Sequence, residues 1–367
     1  MSNQFCRNLS NGFKINVGAQ GLDWSPCCYY SKKVPLLDKA QFESALAYTS
    51  SAENWLPECI QCLRMEKSGA PGLSPRLSSF QQIHTELETG VCGALELNLD
   101  LACNAACLSC GSYASTTWQK YDIKHKLTDV SSVQNPAEQY LQQLLDTVPL
   151  DSVQYLYLLG GEPLYSSTNV TLLKHLHRTH PTLDQVTLQY QTNASIVPSA
   201  EVIELWKGFK SVVFSMSIDG VGQRFNYLRW PLKWHRVQRT VDFLLHNTTV
   251  LFNVNATISP LNVWYFDEVE QWAVDTIPHD RFVKRPHWPV RPNRCMAPMD
   301  LNMTTRDLRQ AVIAKYGVEH KLAKIFSNLE LVDNHSAMFD HIHKHDQIRR
   351  LNWRDTFPEV VKYYPNA

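Results

Sequence analysis

The sequence predicts an α/β protein built around an open, partial (β/α)6 TIM-like barrel, and three observations predict it. From residue 94 onward, apolar runs of strand length recur at 94–101, 153–159, 186–191, 212–218, 250–257 and 280–284. Helix-like segments lie between them at 136–147, 169–179, 200–208, 235–247 and 263–276. Polar and glycine-rich residues gather where the apolar runs end. Strands that alternate with helices pair in parallel through right-handed crossovers, and six such units fall short of the eight of a closed barrel. The expected organisation is a cysteine-rich module at 1–70, a linker at 71–90, the barrel at 91–290 and a helical C-terminal extension at 291–367.

The N-terminal module carries Cys6, Cys27, Cys28, Cys59 and Cys62, with turn signals at Asn11-Gly12, Pro26 and Pro57. Within it, Gly12–Gly18 reads as a short strand entering a turn. The stretch Lys67–Ser78, rich in Gly, Pro and Ser, reads as a long loop or linker. Met1–Arg7 has no basic region followed by an apolar stretch, so no secretory signal is expected there, and the ten cysteines read better as metal ligands or reactive thiols than as disulfides. Lys+Arg and Asp+Glu number 35 each, so no global field favours nucleic acid or an anionic membrane. No run of 18 apolar residues suits a membrane span, and a cytoplasmic enzyme is expected.

The first barrel strand runs directly into Cys103, Cys107 and Cys110, a C-x3-C-x2-C pattern in a loop of small residues. Three thiolates on one centre leave a coordination position for a small molecule, as a catalytic zinc site does. The blander reading is a buried structural zinc site. The second strand ends in Gly160-Gly161-Glu162-Pro163, where two glycines let the backbone come close to a ligand. The third ends in Gln191-Thr192-Asn193, the fourth in Ser217-Ile218-Asp219-Gly220 and the fifth near Asn255-Ala256-Thr257. Ligands of such folds gather at these strand ends.

The cysteine triplet, followed one βα unit later by Gly160-Gly161-Glu162-Pro163, resembles the radical S-adenosylmethionine superfamily. The resemblance covers residues 94 to about 290. It implies a [4Fe–4S] cluster on Cys103, Cys107 and Cys110, with S-adenosyl-L-methionine chelating the open iron. It implies that Gly160, Gly161, Glu162 and Pro163 hold the methionine amino group, and that Ser217 and Asp219 meet ribose or carboxylate. Asn255 joins the cofactor-binding set. Thr192-Asn193 is similar to a Thr-Asn-Gly motif of that family, with Ala194 in place of glycine, and Ser109 stands where many members have an aromatic. Trp118, Asp346-x-x-Arg349 and Asp355-Thr356-Phe357-Pro358-Glu359 resemble the twitch-domain branch. The N-terminal cysteines resemble a SPASM-type set moved ahead of the barrel. They imply a second [4Fe–4S] cluster on Cys6, one of Cys27 and Cys28, Cys59 and Cys62, with a zinc knuckle as the alternative.

The activity so implied is reductive cleavage of S-adenosylmethionine to a 5′-deoxyadenosyl radical that takes hydrogen from a substrate. The auxiliary cysteines point to a peptide or protein, modified by crosslinking, epimerisation or oxidation. A carbohydrate or nucleotide-type small molecule is the alternative, and a non-catalytic barrel with a zinc knuckle is a rival of another class. Flavodoxin or ferredoxin is the expected electron donor. Cys295 is a weak catalytic candidate, since a lone cysteine is more often inert. Arg224 and Arg229 read either as clamps on a substrate anion or as surface ion pairs. Tyr227–Arg236 and Trp288 read as rim covers or stacking platforms. His341, His343 and His345, spaced at i and i+2, read as a solvated polar segment.

Overall fold

The computed structural model describes residues 6–18, 21–67, 87–283, 290–327, 329–365 and 367. The chain forms two compact units. One comprises Met1–Cys103, Val133–Gln191 and Pro198–Phe214; the other comprises Asn104–Ser132, Thr192–Val197 and Ser215–Ala367. Residues 68–86, which include 71–86 of the expected linker, lie outside the described residues, as does Trp288.

In the first unit the sheet order is β3-β2-β1-β4-β5-β6, with the first half of β7 beside β6. The strands are β1 (Gly12–Gly18), β2 (Gly21–Ser25), β3 (Val34–Pro35), β4 (Ala94–Asn98), β5 (Tyr155–Leu158), β6 (Thr187–Thr192) and β7 (Ser211–Ser217). The expected strand at 12–18 is therefore present, and it does more than enter a turn. It pairs in parallel with β4, setting Phe13 against Leu95 and Ile15 against Leu97, while β2 and β3 extend the edge antiparallel. An ion pair between Lys14 and Glu96 lies across the β1–β4 seam.

Parallel pairing continues through β4–β5 and β5–β6, which aligns Leu95, Leu156 and Leu188 in one row. Side chains alternate faces along a strand, so these leucines, all within 1 % of full burial, make one continuous core face. The opposite face carries Tyr157, whose hydroxyl donates to Gln191 Oε1 at 2.5 Å. The crossover helices follow the sequence pattern. Ala137–Thr147 buries Leu141 and Leu144, Ser167–Thr179 buries Leu172, Leu173 and Leu176, and Ala200–Trp206 buries Val202 and Trp206. Ser166 and Ser199 cap the last two by accepting the amides of Asn169 and Val202.

In the second unit the remainder of β7 adjoins β8 (Leu251–Ile258), with Asn253 Nδ2 donating to Ser215 Oγ at 3.2 Å. β8 then pairs in parallel with β9 (Val290–Arg294), placing Val254 beside Val290. The sixth strand therefore lies at 290–294 and not at 280–284. Of the latter stretch, residue 284 lies outside the described residues, and residues 280–283 take part in a 3-10 turn, His279–Arg281, and an isolated bridge between Phe252 and Phe282. The reason is Arg281: its guanidinium donates to the carbonyls of Val250, Leu245 and Leu244, capping the C-terminal end of helix Trp234–Asn247. Pro292 is tolerated in β9 because that strand is the sheet's edge.

The C-terminal extension is helical as expected, with Arg306–Tyr316, Lys321–Phe326, Ser336–Arg349, Trp353–Thr356 and Pro358–Val361. The α/β class with a parallel βα rhythm is borne out. Among the described residues, no helix is long and apolar enough to cross a membrane.

Candidate functional site

In the first unit, the exit of β4 and the exit of β5 are packed together. The amide of Gly161 donates to Asp100 O at 2.8 Å and that of Glu162 to Ala102 O at 2.7 Å. A Cβ on Gly160 would lie 2.4 Å from Asp100 O, and one on Gly161 2.3 Å from Ala102 O. Gly160 also has φ +123°, a backbone that L side chains rarely adopt. The two glycines thus allow close approach of backbone to backbone at the start of the cysteine loop. Glu162 is buried and accepts the amide of Leu164, capping the turn Pro163–Tyr165.

Asp100, which the sequence reading did not single out, ties this corner together. Its carboxylate accepts from the amide of Ala102 (2.7 Å), from Asn135 Nδ2 (2.9 Å) and from the hydroxyl of Ser166. Asn135 in turn accepts the amide of Leu101 at 3.0 Å. The signal in the sequence was a buried acid inside an apolar run, Leu99-Asp100-Leu101. A charge buried in that way needs partners.

Cys103 closes the first unit and is buried; Cys107 and Cys110, half-buried, belong to the second. Around Cys107 the backbone is held firmly. Ala106 N–H donates to Trp230 O and Leu108 N–H to Leu228 O, both at 2.7 Å. Trp118 Nε1 donates to Cys107 O at 2.9 Å. Arg229 Nη1 lies 3.9 Å from Cys107 Sγ, within sulfur hydrogen-bonding range. Arg229 is not a surface residue: it is buried, and its Nη2 pairs with Asp219 Oδ2 at 2.8 Å. Burial works against the guanidinium's charge, but Asp219, Cys107 and Cys110 outweigh it, so Arg229 is held more firmly protonated than usual. Burial pushes the Cys110 thiol upward, and Arg229 opposes that shift. Arg224 pairs with Glu268 at 3.0 Å and lies over the Tyr265 ring.

Asp219 is buried and engaged on every side. Its Oδ1 accepts the amide of Thr257 and its carbonyl accepts Asn262 Nδ2, each at 2.7 Å. Its observed role is to anchor Arg229 beside Cys107. Thr192 and Asn193 form a closed polar turn. Asn193 Nδ2 donates to Asn104 Oδ1 at 2.8 Å, and Asn104 Nδ2 donates to Ser195 Oγ at 2.9 Å. Ala194 has φ +57° and is fully buried, which is the conformation that makes glycine the natural occupant. Ser217 ends β7 and Asn255 lies in β8, where its carbonyl accepts the amide of Ile218.

Cys295 is buried just after β9, its amide donating to Ile258 O. Its thiol is pushed up to about 12, first by burial and then by the neighbouring charges of Asp219, Asp300 and Cys110. The structure thus brings Cys295 into the electrostatic neighbourhood of Cys110 and Asp219.

In the N-terminal module, Cys6 precedes helix Arg7–Asn11, and Cys59 and Cys62 flank the junction of turn Pro57–Cys59 with helix Ile60–Lys67. The Ser31 amide donates to Glu58 O at 3.2 Å, joining the turn after Cys27 and Cys28 to the Cys59 turn. Burial raises the Cys27 thiol, and the charges of Cys28, Cys6 and Cys62 raise it further. Cys59 is pushed up to about 12 by burial and then by Cys6 and Cys62. The cysteines are therefore electrostatic neighbours, with Cys28 the exposed one. Among the described residues there is no disulfide, and no three His, Cys, Asp or Glu side chains converge as ligands of a single metal ion. Thiolates of a four-iron cubane each take a separate iron, so a cluster does not require such convergence. The donor set around Cys107, a soft thiol beside a buried cation, suits a thiolate-ligated cluster.

The three histidines of the C-terminal helix depart from the solvated reading. His343 is exposed, but His341 and His345 are i and i+4 and share the inward face. Their rings lie 4.5 Å apart, His341 meets Leu108 O at 3.0 Å, and His345 Nδ1 meets Tyr121 Oη at 2.9 Å.

No protein-family model and no curated protein matches the chain. Among solved structures, histidine-tagged anSMEcpe with bound AdoMet is 15% identical over 65% of this chain and 60% of its own length, with a TM-score of 0.41. Streptococcus suis SuiB bound to S-adenosylmethionine is 12% identical over 88% of this chain and 72% of its own, with a TM-score of 0.40. Native anSMEcpe with bound AdoMet and Cp18Cys peptide is 17% identical over 56% of this chain and 51% of its own, with a TM-score of 0.38. The chain thus spans less than two thirds of the length of the anSMEcpe structures it matches.

Proposed function

We propose that the protein is a radical S-adenosylmethionine enzyme carrying a [4Fe–4S] cluster on Cys103, Cys107 and Cys110. The observation that carries the reading is the packing of the Gly160-Gly161-Glu162 backbone onto Asp100–Ala102, the segment that leads into the cysteine loop. Two motifs a whole βα unit apart in sequence thus meet at the segment that leads into the cysteine loop, which supports the reading. Cys103, Cys107 and Cys110 would hold the cluster, which would supply one-electron reducing chemistry for cleaving S-adenosylmethionine and so for hydrogen abstraction from a substrate.

The chain's own groups then have definable tasks. Arg229, fixed by Asp219, offers a cationic donor to the Cys107 sulfur, which favours the thiolate needed for ligation. The turn of Thr192, Asn193 and Asn104 braces the start of the cysteine loop. The family resemblance assigns Gly160, Gly161, Glu162, Pro163, Thr192, Asn193, Ser217 and Asn255 to cofactor binding, while Asp219, already engaged with Arg229, Thr257 and Asn262, serves that set through Arg229. We assign an auxiliary cluster to Cys6, Cys27, Cys59 and Cys62, preferring Cys27 over the exposed Cys28, and a peptide or protein substrate on the strength of that cysteine set. Flavodoxin or ferredoxin is the fitting reductant.

The test is replacement of Cys103, Cys107 and Cys110 by alanine in anaerobically reconstituted protein. Loss of both cluster absorbance and 5′-deoxyadenosine formation is expected; activity retained without the three thiols would refute the assignment.

A further inference from the structure

We infer that the C-terminal helix Ser336–Arg349 is a clamp that presets the backbone around Cys107, with Arg349 and His341 as its positioning residues. The inference rests on the reading of Cys107 as a cluster ligand.

Ala106, Cys107 and Leu108 carry the polar backbone groups nearest the thiol. The amides of Ala106 and Leu108 are taken by Trp230 O and Leu228 O, and Cys107 O by Trp118. The two remaining carbonyls, on either side of the cysteine, are taken by the C-terminal helix. Arg349 Nη2 donates to Ala106 O at 3.0 Å, and His341 Nε2 contacts Leu108 O at 3.0 Å. That contact is a hydrogen bond when Nε2 carries the proton. The partners are 243 and 233 residues away in sequence, so nothing local accounts for them.

The helix face is itself fixed. The Arg349 guanidinium lies over the rings of Trp118, Tyr121 and Trp230 at 5.0, 5.2 and 5.0 Å. His345 packs edge-on against Trp118 at 4.9 Å. Asp346 accepts the Tyr227 hydroxyl at 2.6 Å and the Trp353 amide at 2.8 Å, which anchors the end of the helix. Arg349 is thus set in an aromatic box and aimed at a loop carbonyl. A planar, always charged group that stacks and donates at once is a role lysine cannot fill. Ordering the loop before a metal arrives removes an entropic cost from ligation.

The experiment is amide hydrogen exchange on the full-length, metal-free chain, comparing wild type with R349Q, R349K, H341L and H341Q. Losing a hydrogen bond to a loop carbonyl should speed exchange across residues 104–110 roughly tenfold or more in R349Q, R349K and H341L. Peptides of β4, β5 and β6 should stay at the wild-type rate. H341Q, which keeps a side-chain donor, should restore protection. After loading with iron and sulfide, R349Q should release iron to a chelator several-fold faster and show an altered low-temperature EPR line shape. Unchanged exchange at 104–110 in R349Q and H341L would overturn the proposal. So would acceleration spread evenly into β4–β6, because the helix would then be a general support. If the exchange pattern is as expected but loaded wild type shows no cluster signal, the clamp is supported and the cluster reading fails.

Discussion

The molecule has two cysteine regions, and they are built in opposite ways. The loop from Cys103 to Cys110 is one short segment whose backbone is held by partners from Trp118, Leu228, Trp230, His341 and Arg349. The N-terminal set draws on three separated segments, around Cys6, Cys27 and Cys59, the last two joined by the backbone bond from Ser31 to Glu58. Burial and mutual charge raise the thiols of Cys27 and Cys59, whereas at Cys110 the cation Arg229 opposes the rise. On the proposed reading, the first region would meet a metal centre with its backbone already held, whereas in the second a centre would do much of the organising, because bound metal contributes folding free energy where ligands come from separate segments.

The contrast can be broken most sharply at the first region. Gly161→Ala would force a Cβ to within 2.3 Å of the Ala102 carbonyl, with backbone on both sides unable to yield. Cleavage of S-adenosylmethionine should fall by at least about a hundredfold, the scale expected when a reacting group is misplaced by about 1 Å. Near-wild-type turnover in that variant would show that the packing of the two loops is incidental.

A smaller and different effect is expected at the N-terminal set. Replacing Cys59 and Cys62 together by alanine should remove about four irons per chain while leaving unproductive cofactor cleavage largely intact. Its melting temperature should fall more in the metal-loaded protein than in the metal-free one. Loss of zinc with iron unchanged would identify a zinc knuckle instead.

The histidines of the C-terminal helix give a pH signature. Burial first, then the charges of Arg349, His341 and Lys344, pull His345 down to about 3, so it is neutral in the folded protein near neutral pH. An unfolded histidine takes up a proton below about 6.5. Stability is therefore fully present above about pH 6.5 and is lost as the pH falls toward about 3. Thermal melts should show a steeper loss between about pH 7 and pH 5 in wild type than in His345→Asn; equal slopes would remove His345 as the source.

The smallest effect is at Ala194. Glycine there relieves the left-handed backbone, worth about 1 kcal/mol, but loosens the unfolded chain by about 0.4–1 kcal/mol. Ala194→Gly should shift the melting temperature by no more than a few degrees, and a large loss would mean that the Ala194 methyl is packed for a purpose.

Much of this architecture was legible in the sequence because period and punctuation carry it. The leucines of β4 and β5 alternate as half-buried strands do, Ser166 and Ser199 sit where caps belong, and the cysteine triplet follows its strand directly. The glycines before Glu162 were legible as points of close approach, although what approaches is the backbone of Asp100–Ala102. Other features depended on contacts far apart in the chain. Arg229 looked like a surface or substrate-binding cation because its partners, Asp219 and Cys107, stand outside its own segment, the second of them 122 residues away. His341 and His345 were judged on their i, i+2 spacing, and the inward i, i+4 pair was missed. The sixth strand was placed early because Val283 and its apolar neighbour Phe282 resemble a strand, whereas Arg281 ties that stretch to a helix end. For Arg229 and Arg281 a single polar side chain with partners outside its own segment overrides the local pattern, whereas the histidine pair lies in the spacing itself.

The most direct test of the central claim is anaerobic reconstitution with iron and sulfide, followed by dithionite and S-adenosylmethionine, with 5′-deoxyadenosine and iron both measured. Two clusters correspond to about eight irons per chain, and 5′-deoxyadenosine should form only when Cys103, Cys107 and Cys110 are intact. Protein that assembles no cluster, or a cluster that yields no 5′-deoxyadenosine, would contradict it.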